Sequence, residues 1–288
     1  MIRPLITHRQ QSAERILQTE LEHQYHVLEN GRVNLFWIIG ALVLLIPALL
    51  IAVVGVVVAL VIAVSPTSVN AIVAFLTGQG WVRNLVVHMV GMGIATDLVV
   101  GLVSLSLAAN AITREYRGAT WPLLLMTGVS ARHMVLGKWW ASVLVLRRDF
   151  ISVAILRVGL VCAAFVILPI IMVRVGFVSN VWLLLLAIGL SLVYSVLDAQ
   201  VIAAIAILGA LAVERDGSGL AVSLRMAVIL IGWAVAGAVI ALMWENLSLA
   251  FVVIPAALVV VWIGLLAVGL WALLWVGVRA RILPRHTT

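Results

Sequence analysis

VWLLLLAIGLSLVYSVLDAQVIAAIAILGALAV, from Val181 to Val213, is an apolar stretch whose one charged residue is Asp198. It is longer than the roughly 20 apolar residues that cross a bilayer, and far longer than the roughly 10–14 of a buried core helix. Polar and apolar residues do not alternate along it, which excludes a strand of a membrane barrel. The stretch therefore predicts a transmembrane helix.

The rest of the chain has the same character. Hydrophobic residues make up 65% of the 288 residues and charged residues 10%, with a mean hydropathy of +1.26. Soluble domains average roughly 45–50% apolar and 25% charged residues. The composition predicts an integral membrane protein. The long apolar stretches along the chain predict an all-α fold with six transmembrane helices, at Val33–Val64, Leu85–Ile112, Phe150–Val173, Val181–Val213, Ala221–Met243 and Leu249–Val278.

These spans define the expected domains. Residues 33–279 form a six-helix transmembrane domain with a cytoplasmic loop at 113–149, and residues 280–288 form a cytoplasmic basic tail. In residues 1–32, Leu17, Leu21 and Leu28 recur at helical spacing, with glutamates between them. This pattern predicts an amphipathic elbow helix that lies at the membrane interface.

The distribution of positive charge predicts the orientation. If the N-terminus is inside, all but Arg83, Arg157 and Arg174 of the eighteen Lys and Arg residues lie on the cytoplasmic side; Arg225 is counted there, at the inner end of the fifth span. Both termini are then cytoplasmic, and the expected location is a prokaryotic cytoplasmic membrane. Attraction to anionic membrane lipids accounts for the net charge of +7, so the charge does not indicate nucleic-acid binding.

The cytoplasmic loop carries an unusual polar segment, REYRGATWPLLLMTGVSARHMVLGKWW, from Arg114 to Trp140. Thr120 can cap a short helix that Gly128 closes, and Ser130 can start a second one, so two short surface helices are expected. The run Leu123–Met126 is too short to span the membrane. It either packs on the protein's own helices or headgroups, or enters a groove of another protein.

This segment resembles the cytoplasmic loop of ABC transporter permeases of the type-2 export class. The residues that carry the resemblance are Glu115, Thr120, Trp121, Leu123, Leu124, Leu125, Thr127, Ser130, Gly137 and Lys138. The resemblance implies a coupling helix that includes Met126 and contacts an ATP-hydrolysing partner subunit. It also implies a second permease subunit, identical or different, and transport driven by ATP hydrolysis in the partner.

The chain itself is not expected to be an enzyme. Gly137-Lys138 is followed by Trp139, and Arg132 stands where a phosphate-binding loop needs its first Gly. No catalytic residues, metal site or cofactor are therefore predicted here; ATP and magnesium would be bound by the partner subunit. His23 and His26 lie one turn apart, but no third ligand supports a metal site.

Three ionisable residues lie inside predicted spans, namely Asp97, Arg157 and Asp198. A charge at the bilayer centre costs about 2.5–3.5 kcal/mol even on the most permissive scale, so each residue needs a partner or a function. Arg157 can pair with one or both aspartates to hold the helices together. Alternatively, the three residues line or gate a pathway, and the chain is an ion-coupled secondary transporter.

Overall fold

In a computed structural model, every described residue is helical, apart from a turn at Met243. The structure describes 131–172, 181–212, 217–243 and 247–279, residues 97–102, 104–106, 108 and 109, and single positions at 22, 43, 46, 50, 53, 57, 61, 80, 84, 88, 91 and 95. Within these residues there is no strand. The four long helices are α1 (Ala131–Met172), α2 (Val181–Ala212), α3 (Gly217–Leu242) and α4 (Leu247–Arg279).

Three of these helices are long and apolar enough to cross a membrane. The apolar stretches are Trp182–Ala212 in α2, Gly219–Leu242 in α3 and Val252–Trp275 in α4. They lie at the sequence positions of the fourth, fifth and sixth predicted spans. The protein is therefore an integral membrane protein.

The other predicted elements are described in part or not at all. The described positions of the predicted spans Val33–Val64 and Leu85–Ile112 are helical, and they include the nearly continuous run from Asp97 to Ala109. In the N-terminal elbow only Glu22 is described, as an exposed helical residue. Residues 113–130 lie outside the described residues.

The second predicted surface helix is not a separate short helix. It is the first part of α1, a single helix of 42 residues that continues into the predicted third span. The prediction was wrong because Lys138, Arg147 and Arg148 interrupt the apolar run, whereas Lys and Arg are good helix formers. Charges ended the hydrophobic pattern without ending the helix.

Helix α2 lies at the centre of the described bundle and packs against α1, α3 and α4. Most of its apolar stretch is buried within the protein, whereas only a small share of those of α3 and α4 is buried. Alanines at 199, 203, 204, 206 and 210 give it a small-residue surface that other helices can approach closely.

Helices α1 and α2 run antiparallel. Met134 and Val135, near the start of α1, share an apolar cluster with Leu211 near the end of α2. Cys162, farther along α1, packs against Leu184 near the start of α2. The middle of α1 therefore faces the middle of α2, where the charged residues lie.

Candidate functional site

The site is centred on the carboxylate of Asp198, in the middle of α2. Its Oδ1 accepts hydrogen bonds from Arg225 Nη1 at 2.6 Å and from Trp262 Nε1 at 2.9 Å. Its Oδ2 accepts from Arg157 Nη2 at 2.6 Å and from Arg225 Nη2 at 3.1 Å. Four donors match the roughly four lone-pair positions of a carboxylate, so Asp198 is saturated.

Arg157, on α1, joins the two aspartates. Its Nη2 also donates to Asp97 Oδ1 at 2.5 Å, and its Nη1 donates to Ser195 Oγ at 3.3 Å. The guanidinium carbon lies 4.6 Å from the centroid of the Tyr194 ring, a cation–π arrangement. Arg157 is thus held on several sides at once.

An aromatic pair adjoins the charges. Tyr194 and Trp262 meet edge to face, with their ring centroids 5.0 Å apart. Gly232 of α3 makes room for Trp262, since a Cβ at this position would lie 2.9 Å from Trp262 Cη2. Close approach of α3 and α4 therefore orients the indole N–H towards Asp198.

Helical spacing explains why these side chains converge. Ser191, Ser195 and Asp198 lie on one face of α2, and Ser195 Oγ donates to the Ser191 carbonyl at 2.9 Å. On the helical run that contains Asp97, Gly101 lies one turn later and faces Arg225; a Cβ there would be 3.8 Å from Arg225 Nε. A methyl group at this position would make only ordinary van der Waals contact, so Gly101 shows that this run lies beside α3 but is not required for the approach.

The four charges form a neutral set. Arg157 and Arg225 balance Asp97 and Asp198, and we call these four residues the charge network. An isolated buried charge is unfavourable by several kcal/mol, whereas a paired and hydrogen-bonded one is tolerated. Neutrality is therefore the condition under which these residues can lie inside the membrane.

The two carboxylates differ in exposure. The side chain of Asp198 is 1% exposed and that of Asp97 is 31% exposed. Asp97 accepts a single hydrogen bond within the described part of the network, from Arg157. The network thus has a closed side at Asp198 and an open side at Asp97.

The structure brings together the three ionisable residues that the sequence places inside the spans, and it adds two partners that the sequence analysis missed. Arg225 was counted among the cytoplasmic charges, but it is buried and bonded to Asp198. Trp262 was not assigned to any site. One signal for Arg225 was available, because Asp97, Arg157 and Asp198 carry a net negative charge that a second buried cation would balance.

The predicted coupling residues, Glu115, Thr120, Trp121, Leu123, Leu124, Leu125, Met126, Thr127 and Ser130, all lie outside the described residues. His23 and His26 do so as well. In the part of the chain that the structure describes, no three His, Cys, Asp or Glu residues are grouped as metal ligands would be.

Comparison of the chain with protein-family models, with curated proteins and with solved structures found no match. The function of this protein is therefore inferred from its own residues and their geometry.

Proposed function

We propose that this chain is the permease subunit of an ATP-binding-cassette exporter. Separate ATPase subunits would hydrolyse ATP, and a second permease, identical or different, would complete the transporter. The proposal includes six spans, an N-terminal elbow helix and cytoplasmic termini in a prokaryotic membrane. Its first support is the resemblance of the segment Arg114–Trp140 to the coupling loop of such permeases.

The observation that carries the proposal is the course of α1. This helix begins at Ala131, directly after the predicted coupling residues, and continues unbroken to Arg157 in the charge network. At 1.5 Å per residue the distance from Ala131 to Arg157 is about 39 Å along the helix axis. A displacement at the loop would reach the network through one continuous helix.

The first turns of α1 pack against both α2 and α4. Met134 and Val135 are buried in the cluster that contains Ile207 of α2 and Leu273 of α4. The indole Nε1 of Trp139 donates to the carbonyl oxygen of Gln200, two residues after Asp198, at 3.1 Å. Movement of α1 would therefore act on α2 and α4 together.

The geometry restricts the alternative, an ion-coupled carrier that uses Asp97, Arg157 and Asp198, to one exchangeable carboxylate. Such a carrier needs a carboxylate that exchanges its partner during transport. Asp198 has its four acceptor positions filled. If it were neutralised, Asp97 would be the only carboxylate in the charge network to balance two buried arginines. Of the two carboxylates only Asp97 is open enough to exchange.

The test is coexpression of the full chain with a candidate ATP-binding-cassette ATPase, chosen from the genes next to its own. We expect the two proteins to copurify, and ATP hydrolysis to depend on the permease. The double variant Leu124→Asp and Leu125→Asp should abolish copurification, because charges replace the apolar contact.

A matched control is available in the basic tail, where Ile282 and Leu283 form another apolar pair among charges on the same predicted side. The variant Ile282→Asp and Leu283→Asp should copurify like the native chain. Equal association of the ATPase with both double variants would overturn the coupling role. Gradient-driven transport by the purified chain alone, in liposomes without ATPase, would favour the ion-coupled carrier instead.

A further inference from the structure

The open side of the charge network differs from the closed side in how many contacts hold it. Asp198 is held by Arg157, Arg225 and Trp262. Asp97 is held within the network by one hydrogen bond from Arg157, and nearly a third of its side chain is exposed. Asp97 is therefore the carboxylate that can leave its partner with the least disturbance.

Arg157 would stay in place if Asp97 left. Its Nη2 would keep Asp198 Oδ2 at 2.6 Å, its Nη1 would keep Ser195 Oγ at 3.3 Å, and its guanidinium would still lie over Tyr194. The Nη2–H group that now donates to Asp97 would lose its acceptor and would face the exposed side. A preformed anion site would remain.

Charge balance specifies what can occupy that site. Once Asp97 leaves Arg157, the three residues that stay bonded, Arg157, Arg225 and Asp198, have a net charge of +1, and the released carboxylate lies on the partly exposed side. One negative group restores neutrality, and a guanidinium binds a planar carboxylate or a phosphate well. A cation or a neutral polar group would leave the excess charge in place.

We infer that Arg157 binds the anionic group, a carboxylate or a phosphate, of the molecule that this protein transports. Asp97 occupies the site when that molecule is absent. The transported molecule competes with Asp97 for the same donor of Arg157, so that binding opens the Asp97–Arg157 pair. The inference rests on the proposed transport function and names the chemical class of the substrate.

The experiment measures binding to the purified full chain in phosphatidylcholine nanodiscs, without any ATPase. The probes are dodecyl phosphate, inorganic phosphate and, as a cation of similar tail length, dodecyltrimethylammonium. Asp97→Asn should tighten binding of an anionic probe about tenfold, as expected when a site that is roughly nine-tenths occupied by its own carboxylate is freed. The cationic probe should show no gain.

A second variant separates anion binding from misfolding. Asp97→Asn combined with Arg157→Gln leaves Arg225 paired with Asp198 and is neutral, so it keeps the charge balance of the native network. This double variant should lose the gain in anion binding while its melting temperature stays close to that of the native chain. A gain with dodecyl phosphate alone indicates an amphipathic anion, and a gain with both phosphates indicates that the anionic group suffices.

The inference is overturned if Asp97→Asn binds neither phosphate more tightly than the native chain does. It is also overturned if the double variant binds as tightly as the single one, since Arg157 would then not be the site. Equal association of the ATPase with the Leu124/Leu125 and Ile282/Leu283 variants, which would overturn the coupling role, would not affect this measurement. The two proposals can therefore fail independently.

Discussion

Asp198 and Asp97 share a hydrogen-bond partner, Arg157, yet their surroundings are opposite. Asp198 is enclosed by donors from α1, α3 and α4, whereas Asp97 has one donor from the network and partial exposure. The same residue type, at bonded distance from the same arginine, is enclosed on one side of the network and left partly exposed on the other. The two aspartates differ in the number of independent contacts that hold them.

The most damaging change to the closed side is Asp198→Asn. It leaves Arg225 without its carboxylate and gives the network a net positive charge. Breaking a buried ion pair typically destabilises by about 3–5 kcal/mol. We expect a large fall in the melting temperature of the purified protein in detergent.

The double variant Asp198→Asn and Arg225→Gln is the control for that prediction. It restores neutrality and should recover part of the lost stability, because the penalty comes mainly from the unpaired cation. If the double variant is no more stable than Asp198→Asn, the stability that the closed side gives the protein does not come from charge balance.

A smaller effect is expected where packing supports the closed side. Gly232→Ala would place a Cβ 2.9 Å from Trp262 Cη2 and push the indole away from its bond to Asp198. Overpacking of this kind costs about 1–3 kcal/mol. The matched control is Gly237→Ala on the same helix, where nothing lies within 4 Å of the new methyl group.

The control should be neutral or slightly stabilising, because alanine is favoured over glycine in a helix interior by about 0.5–1 kcal/mol. Thermal unfolding of both variants in detergent measures the difference. Equal behaviour of the two variants would show that Trp262 can shift without loss.

On the open side, Asp97→Asn should have a weaker effect on stability than either Asp198→Asn or Gly232→Ala. The variant also gives the network a net charge of +1, but Arg157 keeps its bonds to Asp198 and Ser195 and the changed site is partly exposed, so we expect a loss of only about 1 kcal/mol. The melting temperature of Asp97→Asn, measured beside that of Asp198→Asn, tests the comparison directly. A loss as large as that of Asp198→Asn would make Asp97 a structural residue and remove the distinction.

The smallest effect is expected at Ser104, two helical turns after Asp97. Its Oγ is fully buried and has no hydrogen-bond partner within the described structure. Ser104→Ala removes this unpaired group and should raise the stability slightly, by about 0.5 kcal/mol. A measurable loss of stability would show that the hydroxyl stabilises the fold.

Part of the fold could be predicted, because a transmembrane helix is visible in the sequence as one long apolar stretch. Helix α2, Val181–Ala212, lies within the predicted span Val181–Val213. Helix α1, Ala131–Met172, is far longer than the short surface helix predicted after Ser130. A hydropathy pattern identifies what lies in lipid, and it does not show where a helix with a charged segment ends.

The site was predictable in part for a related reason. A charge inside an apolar run is conspicuous, so Asp97, Arg157 and Asp198 could be found from the sequence. Arg225 lies near the end of its span, where snorkelling to the interface is the ordinary expectation. Only the packing of α3 against α2 shows that its guanidinium is directed inward to Asp198 instead.

The sequence by itself determined that this is a helical membrane protein and that a few charges inside its spans need partners. The first follows because only long apolar stretches can cross a bilayer, and the second because an unpaired charge inside it is costly. Only the tertiary structure decided which charges pair and which of the aspartates is enclosed. Those choices depend on the directions in which side chains from five helical segments meet, and separation along the chain does not encode such directions.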